Sequence, residues 1–205
     1  MIENLNEHLF RVAEYMAAGG PVIAPLAVLS VVMWTLIINR ALFFRRLYRR
    51  NMPRSEAALC IVENRRPDPM RYRGAVSLLV NEFMRRRSGD PSLDVYILDE
   101  TVITLVSSLE RHLALIAALA RVAPLLGLLG TVIGMVTTFD IIAVFGTGNT
   151  RALTGGISEA LITTQIGLLV AIPGLYMSHF LARRAENLKQ RISSVGMYLH
   201  RHVKG

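Results

Sequence analysis

The chain has 205 residues, 52% of them hydrophobic, with a mean hydropathy of +0.41. That is too apolar for an ordinary water-soluble domain and points to a protein that crosses a bilayer. The formal charge of +8 excludes nucleic acid as a partner by its distribution, because the arginines crowd the ends of apolar runs, as cytoplasmic loops of membrane proteins do.

Residues 1–20 carry Glu3, Glu7 and Glu14 against Arg11, with Ile2, Leu5, Leu9, Val12 and Met16 recurring at helical spacings. The pattern predicts a periplasmic amphipathic helix that caps the fold, and the lack of a basic leader argues against a cleavable signal. Residues 21–44 form the first expected transmembrane helix, uncharged from Pro21 to Ile38 and ending on Trp34, Phe43 and Phe44, with Arg40, Arg45, Arg46, Arg49, Arg50 and Arg54 crowding its end. Aromatic residues and then arginines suit the interface and the anionic headgroups beyond it. At ~1.5 Å per residue such a run covers the hydrocarbon core.

Residues 45–112 read as a cytoplasmic helical region. A short helix starts near Pro53-Arg54-Ser55-Glu56, prolines 67 and 69 break the chain, a second helix covers Tyr72 to Arg87, and Ser88-Gly89-Asp90-Pro91 makes a turn. Ser92 reads as the N-cap of a long helix. Its apolar positions Leu98, Val102, Leu105, Leu109, Leu113 and Ile116 lead straight into the second span, residues 113–145. Cys60 is the sole cysteine, which forbids an intramolecular disulfide and leaves a free thiol with no special role.

Residues 146–155 form a periplasmic loop, residues 156–180 the third span, and residues 181–205 a cytoplasmic helix. Leu181, Ala185, Leu188, Ile192, Val195 and Leu199 make a heptad-like seam there, which needs a partner helix. Both basic clusters then fall on one side, giving an N-terminus outside and a C-terminus inside. The fold class is an all-α membrane protein with three transmembrane helices and long cytoplasmic helical extensions. No nucleophile, metal-ligand or phosphate-loop pattern occurs, so no enzymatic activity and no cofactor are expected.

Two groups of residues stand out inside the spans. Gly127, Gly130 and Gly134 in the second span, and Gly167 and Gly174 in the third, are spaced for close helix packing. Glu159 is the only formal charge between Arg151 and Arg183. An acid in a span is costly and marks an ion path by default, although at the outer end of a helix it also complements the helix dipole. Thr131, Thr163 and Thr164 are the hydroxyls that complete a candidate polar lining with it. Thr163 is about 40° and Thr164 about 140° from Glu159 around the helix, so the two hydroxyls face different neighbours.

The run Ala123-Pro124-Leu125-Leu126-Gly127-Leu128-Leu129-Gly130-Thr131-Val132-Ile133-Gly134-Met135, followed by Gly156-Ile157-Ser158-Glu159-Ala160-Leu161-Ile162-Thr163-Thr164 and Ile166 to Pro173, resembles the MotA/TolQ/ExbB proton channel family. The resemblance is to its ExbB/TolQ branch, since three spans rather than four fit that branch. It implies a homopentamer in the bacterial inner membrane, enclosing a single-span ExbD- or TolR-like partner whose carboxylate is protonated, with a TonB-like protein downstream. The coupling ion is the proton, and Thr131, Glu159 and Thr164 match pore-facing positions. Gln165 and Asn39-Arg40 depart from the branch pattern, which leaves the partner type open. The implied work is TonB-dependent outer-membrane transport, a TolQ-like envelope role or a gliding motor. The rival from another class is a passive membrane scaffold in which Glu159 only caps a helix.

Overall fold

A computed structural model describes residues 19–204 other than Arg50, Pro69 and Asn149. The amphipathic helix expected over residues 1–20 therefore lies outside the described residues, save its last two positions. The described chain is helical: α1 (Ile23–Tyr48), α2 (Arg54–Val62), α3 (Ala75–Arg86), α4 (Pro91–Glu110), α5 (Leu113–Phe145), a 3-10 turn (Gly146–Gly148) and α6 (Thr150–Lys204). Among the described residues three helices are long and apolar enough to cross a membrane. The third span and the basic segment after it are a single helix, α6, with Pro173 inside it.

The chain divides into two compact units. The first joins residues up to Ile37 with Leu115–Ser178, and so holds the apolar parts of α1, α5 and α6. Its centre is Val22, Leu26 and Leu29 of the first helix region against Ala123 of α5 and Ala171 of α6. Small residues face one another there, which lets the backbones approach closely in lipid.

The second unit holds Ile38–Ala114 and His179–Gly205. The seam of α6 is buried in it along its whole length: Leu181, Ala185, Leu188, Ile192, Val195 and Leu199 are all inaccessible. The seam therefore finds partner helices within its own chain. Gly196, for example, lies where an added Cβ would come within 2.7 Å of Cγ2 of Val102 on α4, and Lys189 Nζ pairs with Glu110 at 2.9 Å.

Several boundaries differ from the sequence expectation: α1 runs on to Tyr48, α3 is the shorter Ala75–Arg86, α6 starts at Thr150 inside the expected 146–155 loop, and both ends of α4 move. The cap of α4 is Asp90, whose carboxylate accepts the Ser92 N–H at 2.9 Å, with Pro91 at the first helical position. Proline is preorganised for that place, so the start moves forward from Ser92. Nor does α4 run into the second span: it ends at Glu110, and His112 adopts φ of 67° before α5 begins. The reason is Arg40. Its guanidinium donates to the carbonyls of Ser108 (2.7 Å), Leu109 (3.2 Å) and Arg111 (2.6 Å). These carbonyls lose their helical partners at a helix end, and an arginine fork satisfies them at once.

Candidate functional site

Within the first unit, α5 and α6 meet along a seam of small residues. Gly127, Gly130 and Gly134 of α5 are buried, as are Gly156, Ala160, Thr163 and Gly167 of α6. A Cβ on Gly127 would lie 3.1 Å from the Thr163 carbonyl and 3.3 Å from the Cα atoms of Thr164 and Gly167. One on Gly134 would lie 2.7 Å from the Gly156 carbonyl. The helices touch backbone to backbone, so glycine is required by space. Gly174 differs: it faces the flexible end of Met33 on α1, at 2.6 Å from Sδ.

The threonines divide by what they touch. Thr163 is 1% exposed and fills the notch left by Gly130, whose added Cβ would meet its Cβ and Oγ1 at 2.5 Å. Its hydroxyl donates to the Ala160 and Glu159 carbonyls at 2.9 and 3.0 Å. Thr164 is half-buried, and its hydroxyl reaches the Ala160 carbonyl (3.3 Å) and, across to α5, the Gly127 carbonyl (3.4 Å). Thr131 is also half-buried and donates to Leu128 O at 2.6 Å. A hydroxyl that donates to its own helix keeps its lone pairs as acceptors. Thr138, which the sequence reading passed over, is buried on the same seam against Gly156 and donates to the Gly134 carbonyl at 2.9 Å. Its signal was its place one helical turn past Gly134.

Glu159 stands apart from these. Its side chain is half-buried and, among the described residues, makes no hydrogen bond or ion pair. The carboxylate end rests against the backbone of Gly20, just before α1. An acid with no partner among the described residues is open to water or to a group brought in by another chain.

The sequence comparisons bear on this seam directly. The family model for the MotA/TolQ/ExbB proton channel family matches residues 73–194, more than half of the chain and all of the α5–α6 seam. The chain belongs to this family. Among its similar proteins is a Putative biopolymer transport protein ExbB-like 3 of Synechocystis sp., 31% identical over 79% of this chain and 80% of its own length. A second from the same organism, Putative biopolymer transport protein ExbB-like 1, is 29% identical over 92% of this chain and 78% of its own length. The Biopolymer transport protein ExbB of Aquifex aeolicus is 44% identical over a shorter stretch, 39% of this chain and 54% of its own. These relatives place the chain in the ExbB-like branch of the family, and with its three apolar helices it is a multi-pass membrane protein.

Outside the seam, the chemistry of this ExbB-like chain is structural. Arg87 donates to Asp94 Oδ2 (2.9 Å) and to the Ile61 carbonyl at the end of α2 (2.8 Å). Burial would raise the Asp94 carboxyl, but the Ser88 and Gly89 N–H groups, the Ser88 hydroxyl and Arg87 outweigh it and hold the group below the usual carboxylate range. Cys60 lines a hollow of about 320 Å³ with Glu56, Arg65 and Tyr72, and burial pushes its thiol up, away from the reactive thiolate. Among the described residues no three His, Cys, Asp or Glu side chains are grouped to hold a metal ion.

Proposed function

We propose that the chain is the ExbB-like subunit of a proton-driven motor in the bacterial inner membrane, with its N-terminus periplasmic and its C-terminus cytoplasmic. Five copies form a ring around a single-span ExbD- or TolR-like partner, and a TonB-like protein carries the output to outer-membrane transport. The observation that carries this reading is a carboxyl, Glu159, with no hydrogen bond or ion pair among the described residues, on a helix whose packed seam falls within the family match.

In this reading Thr131, Glu159 and Thr164 line the proton corridor, while Thr163 sits behind them in the helix contact. A proton entering from the periplasm reaches the partner's carboxylate by way of this lining. Neutralising that carboxylate removes the penalty for a charge in the span and changes how the guest helix fits the ring. Each proton crossing 100 mV contributes ~2.3 kcal/mol, enough to bias a helix movement. This chain carries out no covalent step, and the proton is the coupling ion. The basic second unit lies in the cytoplasm and holds the ring while the guest moves.

Proton flux in proteoliposomes tests the reading. Wild-type chain with a single-span ExbD-like partner should conduct under an imposed potential, and the chain alone should not. Glu159→Gln should lower flux by about 100-fold or more and Thr131→Ala by about tenfold, both with the ring intact, as expected for lost proton-transfer groups. Wild-type flux in both variants would remove the pore-lining roles of these two residues, whereas no flux even with the partner would leave a passive scaffold as the better description.

A further inference from the structure

We propose that Gly20 is a positioning residue for Glu159. Its bare backbone forms the notch in which the carboxyl rests, and so sets where the acid sits beside the start of α1. The inference rests on the proton-path reading of Glu159 and adds a residue that lies outside the family match, which begins at Arg73.

Three observations carry it. Gly20 has φ of 65°, a backbone conformation that glycine adopts at no steric cost. A Cβ built on it would land on Glu159 Oε1, 2.6 Å from Cδ and 3.3 Å from Cγ, so the missing side chain and the carboxyl occupy one space. The Gly20 carbonyl also accepts the Ile23 N–H (3.3 Å) at the first turn of α1, which ties the notch to a helix end. Nothing else among the described residues holds the acid, since its side chain makes no hydrogen bond or ion pair. The shape of the notch is the restraint on its position that the described residues supply. Any side chain at residue 20 would push the carboxyl out of the notch. Proton transfer works only within hydrogen-bond reach, so a shift of about 1 Å matters.

The test pairs substitutions at the two positions and reads proton flux of the full chain with its single-span partner in proteoliposomes. Gly20→Ala should lower flux about tenfold or more, with the ring still assembled by size-exclusion chromatography. Glu159→Asp alone should also lower it. In the Gly20→Ala background the same aspartate, retracted by roughly 1.5 Å or one C–C bond, should recover at least about threefold. Gly20→Asn separates the notch from the backbone angle, because asparagine tolerates this conformation yet carries a Cβ. It should lose as much flux as alanine. Retained flux in Gly20→Asn, or no recovery from the aspartate, would overturn the proposal in favour of a purely conformational glycine. Full flux in Gly20→Ala beside lost flux in Glu159→Gln would overturn it too and leave the proton path standing, whereas full flux in Glu159→Gln would remove the path itself. Should Gly20→Ala not assemble, the double variant should do so, and its failure would count against the proposal.

Discussion

Arg40 is the first charge after the apolar stretch of α1, and its position in the sequence suits a lipid headgroup. The fold uses it otherwise. It is 7% exposed, lies 5.0 Å over the Phe43 ring and satisfies three carbonyls at the end of α4. Hydrogen bonds from a charged donor are worth about 1.5–3 kcal/mol each in mutational series. Arg40→Met should therefore destabilise the protein by about 2–4 kcal/mol and fray α4 near Leu109, read as faster amide exchange over residues 106–112. Unchanged exchange there would contradict the capping role. Arg87 does the same for α2 and is held by Asp94, which is 1% exposed. Asp94→Asn should cost about 2–3 kcal/mol, because it weakens charge-assisted bonds at a buried site. The Asp94 carboxyl is held below its usual range. Its stabilising contribution is thus complete above the unfolded value of about 3.9 and is lost as pH falls through the lower folded value. The melting temperature of the wild type should drop across that acid window, and Asp94→Asn should flatten the drop.

At the scale of elements, two glycines with the same sequence signature do different work. Gly130 meets the Cβ of Thr163, a β-branched side chain with little rotamer freedom, in a buried helix contact. Gly174 meets the terminal Sδ and Cε of Met33, which can move aside. Gly130→Ala should thus destabilise by about 1–3 kcal/mol, the cost of overpacking, and Gly130→Leu should prevent assembly. Gly174→Ala should stay within ~1 kcal/mol of wild type. Thermal unfolding in detergent compares the three, and equal losses at both glycines would refute the distinction. The spacing of the glycines predicts contact, but not which residue stands opposite. The break at His112 has the same origin. Nothing local in Leu109 to Leu113 forbids a continuous helix; Arg40, from 68 to 71 positions away in sequence, supplies the cap.

For the whole molecule, the three candidate spans bury only 22%, 28% and 28% of their most apolar windows within the chain. Val28, Val31, Leu128, Val132, Leu161 and Leu169 all face outward. Lipid can cover such surface, and so can further copies. The proposed ring predicts that native mass spectrometry of the detergent-purified protein finds multiples of the 22.8 kDa chain; a monomer alone would count against the motor. The second unit is different in kind. It closes its seam on itself and pairs its charges internally, as Lys189 with Glu110 and Arg86 with Glu82 and Glu100.

The helical class, the three spans, the small-residue seam and the candidate acid are legible in the order of residues alone. Each depends on period, length or composition, and these act within one segment. The tertiary structure alone decided that Thr163 packs while Thr164 bridges, that Arg40 and Arg87 end helices, and that Glu159 leans on Gly20. These are contacts between residues distant in the chain. Their partners are chosen by which backbones come close enough for a carbonyl to be capped or a missing side chain to leave room, and no local pattern encodes that distance.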